Sequence, residues 1–417
     1  MRLSFYDSET ASPTAIQKEV KKLKSYREHI ATVADKCDAT APEYSLVYAT
    51  DEKLHETLRD IKKQYAKVKH VVLIGIGGSS LGLEAVHNVL DSGTVELSVL
   101  DTVSAYEIDQ LLTSLKDVKK AEQLVVCVVS KSGGTTETLV NAGIVLDTLV
   151  KQWGSKVYGQ TIFIGDDKTD FMKAGKKLGV TCVAMPHVIG GRYSVATEVG
   201  LVPLALLGHD VDAFIEGFSD ASSEEYEQVT AESAARLALY IGKGHRHYNF
   251  FAFEKRLASL GAWYRQLFAE SIGKSEDKSG KPFKKGFLPT VSTPVELHSI
   301  GQLYLSGFEG VYTDFVTFDD EVLDFAVPKQ GVAKKFSRFT AQEISTALYG
   351  GVVAAYSEKQ LANRATIFDE SLAYSLGLFM AMRMRETMYV AHLLNLNAFD
   401  QPNVELYKVK TKAILGL

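Results

Sequence analysis

The sequence predicts an α/β protein: two doubly wound domains with parallel or mostly parallel sheets, and helical segments at both chain ends. Three observations predict it. Short, continuous apolar runs at 71–76, 97–100, 124–129, 161–164 and 180–184 alternate with longer amphipathic stretches. That alternation is the pattern of βαβ units whose strands are covered on both faces. A second, less regular alternation begins near residue 223, and 417 residues suit two or three domains of ordinary size.

The elements follow in chain order. Residues 1–65 read as a helical segment, in which Val20, Leu23 and Tyr26 share one apolar face. Residues 66–210 form the first α/β domain, with helices near 80–90, 104–116, 136–152 and 169–178. The stretches GHDVDAF and SDASSEE interrupt the apolar pattern between 205 and 222, where the domain boundary is placed. Residues 211–395 form the second α/β domain, with helices at 223–242, 256–273 and 340–361 and strands at 248–253 and 311–318. Its long helix, 372–394, is apolar on most sides and is expected to be buried. Residues 396–417 are a C-terminal helical segment.

Composition excludes several classes. Forty-six basic residues against fifty-one acidic ones leave a net charge of −5, which does not suit a chain built to grip nucleic acid. Cys37, Cys127 and Cys182 form no CxxC pair, so neither a disulfide framework nor a Cys-rich zinc site is expected. The longest nearly apolar stretch, 372–382, is about half a membrane span. The N-terminal MRLSFYDSET lacks a signal-peptide pattern. A soluble, cytoplasmic protein is expected, with no membrane partner.

Two strand–loop–helix junctions of the first domain carry similar chemistry. In VVLIGIGGSSLG (71–82), Gly75, Gly77 and Gly78 permit a sharp turn and close approach to a ligand, and Ser79 and Ser80 stand at a helix start. The dinucleotide fingerprint fails because Ser80 occupies its last glycine position, and the Gly-Lys-Ser/Thr of a Walker loop is absent. In LVVCVVSKSGGTTET (124–138), Ser130, Lys131, Ser132, Thr135 and Thr136 gather four hydroxyls and one cation around a Gly-Gly turn. Such donors suit a phosphate monoester, and carboxyl ends of parallel strands are where open sheets bind ligands. Each loop alone also reads as an ordinary helix-capping turn; the two together, without a nucleotide motif, point to a sugar phosphate.

At these loops the sequence resembles the sugar-isomerase domain. HVIGGRYSVAT (187–197), LFAESIGK (267–274) and FDQPNVELYK (399–408) narrow the resemblance to the glucose-6-phosphate isomerase family. It runs in the family's order from about residue 71 to Lys408. Asn403 replaces the family's usual glycine, and Pro402 stands where an aromatic is frequent, changes that bear on the loop between Gln401 and Lys408.

The resemblance implies two sugar-isomerase-type domains and the interconversion of glucose 6-phosphate and fructose 6-phosphate through a cis-enediol, with no cofactor and no metal. It makes Glu270 the proton-shuttling base and gives His298 and Lys408 the ring-opening roles. Arg192 in its glycine turn suits stabilisation of the charged intermediate. Gly78, Ser79, Ser130, Lys131, Ser132, Thr135, Gly191 and Gln401 become substrate contacts, and Glu137 the carboxylate that orients His298. It also implies a homodimer in which His298 crosses to the partner's site. Read without the family, Glu270 is a solvated carboxylate beside Lys274, Arg192 a turn residue, His298 a structural imidazole and Lys408 a surface lysine.

Other readings remain on the sequence. A non-catalytic phosphosugar regulator would keep the phosphate loops alone, and acceptance of mannose 6-phosphate is a further alternative. His245 and His247 in GHRHY can be drawn as a metal pair for a hydride-shifting isomerase, but no third ligand lies close in sequence. KSEDKSGKPFKKG (274–286) reads as a solvated loop. Arg383 and Arg385 are expected to pair with Glu386 or to cap packing near the helix end.

Overall fold

The computed structural model of the chain describes residues 1–7, 9–90, 93–306, 308–319, 324–369 and 371–416, residue 9 by its backbone only. The chain opens with strand β1 (Arg2–Tyr6), then helices α1 (Pro13–Lys22), α2 (Lys24–Lys36) and α3 (Glu52–Gln64). Ser12 caps α1 by accepting from the Ala15 amide, and Pro13 fills the first helical position, where no amide donor is needed. The strand corrects the expectation of an all-helical start. RLSFY pairs antiparallel with a strand some 360 residues later, from Arg2 opposite Ile367 to Tyr6 opposite Asn363. No local periodicity announces a partner that distant.

The first sheet follows in strict alternation: β2 (His70–Ile74), α4 (Leu81–Leu90), β3 (Glu96–Leu100), α5 (Ala105–Ser114), β4 (Leu124–Val129), α6 (Thr136–Trp153), β5 (Thr161–Gly165), α7 (Asp170–Leu178) and β6 (Thr181–Ala184). The strand order is β3-β2-β4-β5-β6, and every pair is parallel. All residues of β2 and β4 are buried. Along them Val71, Leu73, Val125 and Cys127 face the large core, whereas Val72, Ile74, Val126 and Val128 face the layer of α5 and α6. Both faces are therefore covered, which is why the runs are continuous rather than alternating. Strand order reverses between β2 and β4, so the loops leaving these two strands lie side by side. They are the two glycine–hydroxyl loops.

Helices α8 (Glu198–Leu206), α9 (Val211–Asp220) and α10 (Glu224–Gly242) lead to the second sheet. Its elements are β7 (His247–Ala252), α11 (Ala258–Ile272), β8 (Leu288–Ser292), α12 (Gly301–Ser306), β9 (Val311–Phe318), α13 (Ala341–Glu358) and β10 (Asn363–Phe368); α14 (Leu372–Leu393) and α15 (Glu405–Leu415) close the chain. The order is β1-β10-β9-β7-β8, parallel throughout except for β1 at the edge. Strands β8 and β10 escaped the sequence reading. LPTVS contains a proline, and NRATIF contains Arg364, which is wholly buried.

Helix α14 runs through the centre, and its buried residues surround the whole helix. It meets α9 backbone to backbone: a Cβ on Gly217 would stand 2.0 Å from the Tyr374 carbonyl oxygen, and one on Gly377 1.9 Å from that of Phe214. Around α14, Asp314 of β9, Arg364 of β10, and Arg383 and Glu386 of α14 form a closed ionic group. Arg364 reaches Asp314 at 2.8 Å and Glu386 at 2.5 Å, and Arg383 reaches them at 3.0 and 3.2 Å. Arg385 instead donates to Ser222. No described helix is long and apolar enough to cross a membrane.

One buried carboxyl links the N-terminal segment to the first domain. Glu198, at the start of α8, accepts from the Tyr48 hydroxyl at 2.5 Å, while its second oxygen has no partner among the described residues. Burial pushes its pKa up from 4.5 to about 7 against the opposing Tyr48 bond. A raised carboxyl pKa means that the folded state holds a proton the unfolded chain has released. Stability from this group is thus intact below about pH 4.5 and falls as pH rises to about 7, by about 3 kcal/mol in all. Glu198→Gln keeps an acceptor for Tyr48 and should remove this dependence. Urea unfolding is expected to find the variant more stable than the parent at pH 8 and no more stable at pH 4.5.

Candidate active site

The first loop is a tight turn under backbone constraint. After β2 the chain makes a single 3-10 turn, Gly77–Ser79, with Gly77 at φ +62°. Gly78 lies directly against the GGRYS loop, where a Cβ would fall 2.2 Å from the Gly191 carbonyl carbon. This contact explains the glycine at 78, where the main chains of the two loops touch; a Cβ on Gly191 would stand 3.5 Å from Gly78, an ordinary contact. Ser79 is half-buried in the turn and Ser80 fully buried.

The second loop opens onto the N-terminus of α6. Ser130 is buried and donates to the Thr135 hydroxyl at 3.4 Å, and the Ser132 hydroxyl accepts from the Gly134 amide at 3.3 Å. Gly133 has φ +65° and no room for a side chain, since a Cβ would stand 2.8 Å from that of Thr169. Thr135 occupies the cap position of α6 without capping it through its side chain. The first amides of this 18-residue helix are thus left uncapped by Thr135 at the end of a hydroxyl-bearing loop, an arrangement that favours an anion. Burial pulls the Lys131 pKa down; Asp166 opposes this, and the charge of Arg192 adds to it.

Arg192 joins three parts of the chain. Its guanidinium is 3% exposed. Nε donates to the Ser271 hydroxyl at 2.9 Å, and Nη1 to Glu270 Oε2 at 3.2 Å and Gln401 Oε1 at 2.9 Å. Nη2 donates to the carbonyls of Ala398 and Asp400 at 2.6 and 3.1 Å. Only a planar group with donors on every edge can bind the end of α11 and the FDQ turn at once.

Glu270 lies in the last turn of α11 with its side chain one-third exposed (33%). Besides Arg192 it accepts from Gln266 Nε2 at 3.1 Å, one turn earlier on the same helix face. Lys274 does not pair with this carboxylate. It donates to the Glu270 carbonyl and pairs with Asp400 Oδ1 at 2.9 Å. The structure thus adds Gln266, Ser271, Tyr193 and Lys274 to the site. Tyr193 shares the Ser271 hydroxyl at 2.9 Å. The i–4 spacing of Gln266 was the one visible signal; the others depend on where separate loops meet.

The remaining candidates lie apart from this cluster. Gln401 is in it through Arg192, but Pro402 begins a separate 3-10 turn, Pro402–Val404, that leads into α15. Lys408 is exposed on α15 and bonds Glu405 at 2.7 Å; that bond raises its pKa, with a smaller contribution from Glu137, half-buried in the first turn of α6. His298 ends a 3-10 turn after β8, exposed, and its imidazole makes no hydrogen bond among the described residues. Helix α11 returns the chain from the carboxyl end of β7 to the amino end of β8, so Glu270 sits toward the amino end of this sheet. His298 follows the carboxyl end of β8. A five-residue strand spans about 17 Å, which sets the two side chains at opposite ends of the sheet.

His247 bonds the Thr290 hydroxyl at 2.8 Å and Tyr304 at 3.3 Å, while His245 packs edge-on against Tyr240. Among the described residues no group of three His, Cys, Asp or Glu side chains is arranged to hold a metal ion. Cys127 is buried in β4, and Cys182 is partly buried.

The profile of the phosphoglucose isomerase family matches residues 23–318. A glucose-6-phosphate isomerase of Thermus thermophilus is 31% identical over 371 residues, covering 87% of this chain and 88% of that protein. One of Carboxydothermus hydrogenoformans is 29% identical over 397 residues, covering 89% and 84%. Among solved structures, a hypothetical protein of Thermus thermophilus matches with a TM-score of 0.87 and 28% identity, over 99% of this chain and 100% of that one. A glucose-6-phosphate isomerase from Chlamydia trachomatis shares the fold, with a TM-score of 0.78 at 19% identity over 99% and 92% of the two chains. The chain belongs to the phosphoglucose isomerase family.

Proposed function

We infer that the chain interconverts glucose 6-phosphate and fructose 6-phosphate as a glycolytic and gluconeogenic isomerase. The observation that carries this reading is the contact of Glu270 with Arg192 beside two anion-binding loops. A carboxylate and a permanently charged guanidinium, 3.2 Å apart, can move a proton and hold the charge that the move creates.

In this mechanism the sugar phosphate docks on Ser79, Ser130, Lys131, Ser132 and Thr135 and on the amides that begin α6. Binding there fixes the reacting carbons with energy drawn from a remote group. His298, oriented by Glu137, and Lys408 open the ring by moving a proton from the C1 hydroxyl to the ring oxygen. Glu270 then takes the C2 proton as the C1 carbonyl becomes an enediolate oxygen; the C2 hydroxyl proton passes to O1, and Glu270 returns its proton to C1 as the C2 carbonyl forms. Arg192, backed by Gln401, offsets the oxyanion between the two steps. Substrate and product have the same oxidation level overall, so the balance needs no redox partner.

The position of His298 supports a homodimer in which each subunit completes the other's site. The surface supports it too. No residue of α15 is buried, and Leu406, Tyr407, Val409 and Ile414 stand exposed on it; such an apolar face suits a second copy of the chain. The cytoplasm is the proposed location, consistent with three unpaired cysteines.

Glu270→Gln should bind fructose 6-phosphate with nearly unchanged KM and lose ~10²–10⁴ in kcat, the scale of a positioned base. Wild-type turnover in deuterium oxide should place solvent deuterium at C2 of glucose 6-phosphate. Binding without turnover in the wild type would instead make the chain a phosphosugar regulator. Subunit exchange tests the shared site. His298→Ala and Glu270→Gln should each be inactive alone, and their equimolar mixture should recover about one quarter of wild-type activity, because half the dimers then hold one intact site. No recovery after verified exchange would place His298 in its own subunit's site.

A further inference from the structure

Lys274 is not the solvated neighbour of Glu270 that the reading without the family makes it. Its side chain is 7% exposed, and its three ammonium protons face three oxygens: the Glu270 carbonyl at 2.8 Å, Asp400 Oδ1 at 2.9 Å and the Asp400 carbonyl. An ammonium has three donors and none remains for water. The Asp400 carbonyl also accepts from Arg192, so the FDQ turn is held between two cations, one from each side. The other Asp400 oxygen accepts from Asn397 at 2.9 Å, which fixes the carboxylate. Gly273 makes the approach feasible: any Cβ there would lie 2.4 Å from the Ala269 carbonyl oxygen, so only glycine lets the chain fold beneath the helix end.

We propose that Lys274 is a positioning residue: it clamps the Asp400–Gln401 turn to the last turn of α11, and thereby keeps Gln401, Arg192 and Glu270 in one register for proton transfer. This rests on the isomerase reading above. The clamp touches both sides of the reacting group. It holds the main-chain carbonyl of Glu270 itself, and it holds the residue before Gln401, which braces Arg192. Its hydrogen-bond partners among the described residues, Glu270 and Asp400, lie outside both glycine–hydroxyl loops, so substrate docking should be independent of it. Burial pulls the Lys274 pKa down, and the Asp400 bond opposes that.

The test compares Lys274→Met, Asp400→Asn and the double variant, in the full chain, with fructose 6-phosphate as substrate. Lys274→Met should lower kcat by about 10–100-fold, the penalty of sub-ångström misplacement at a reacting centre, with KM within about threefold of wild type. Asp400→Asn should lower kcat less, at unchanged Tm, and should cost nothing further on the Lys274→Met background, since both act through one contact. A Lys274→Met chain with kcat within about twofold of wild type would overturn the proposal, as would an Asp400 effect equally large in both backgrounds. If Lys274→Met fails to fold, Asp400→Asn decides alone: a wild-type kcat in that variant also overturns it. An inactive wild-type chain would instead count against the isomerase reading, so the two failures are distinct.

Discussion

One guanidinium holds the site together. Arg192 comes from a first-domain loop, and its donors end on the last turn of α11, on Gln401 and on two carbonyls of the C-terminal turn. All three parts of the chain converge on it at the point where chemistry is proposed. Its burial makes the arrangement demanding, because a charge removed from water must be answered on every side. Here a carboxylate, a hydroxyl, an amide oxygen and two carbonyls answer it. The close stacking of Gly78 on Gly191 delivers the loop to that position, so Gly78 serves the arginine as much as any ligand.

The fold places this contact by topology. Reversal of strand order at β2 and β4 sets the two glycine–hydroxyl turns side by side, and α11 packs along α4 so that its end arrives beside them. The second sheet supplies α11 but not the ligand loops. The proposed division of labour is therefore asymmetric: the first sheet would bind the phosphate, and the helix of the second presents the carboxylate.

Much of this was legible in the sequence, for a physical reason. Parallel strands buried on both faces write continuous apolar runs, and β2, β4 and β5 were visible as such. The loops between them were visible through residues that only a tight turn with hydroxyl donors requires. Strands β1 and β10 were not legible. The first is defined by a partner at the far end of the chain, and the second carries Arg364, which reads as surface until its partners are known. The same holds for Lys274 and Ser271. Lys274 meets a turn 126 residues later and Ser271 meets Arg192 79 residues earlier, and spacing along one helix does not encode either meeting.

The ionic group around α14 shows how far such hidden partnership extends. Burial alone would raise the carboxyl of Asp314, but Arg364 and then Arg383 overcome it and hold the group ionised; the same two arginines do so for Glu386. Two positive and two negative charges cancel inside an otherwise apolar centre, with Tyr248 and Tyr264 donating to the acids. Loss of any one member would strand an uncompensated charge, at a cost of about 3–5 kcal/mol. Inheritance at these four positions is therefore linked: divergence here must proceed through paired exchanges, and lineages of this fold should keep or abandon the quartet as a unit.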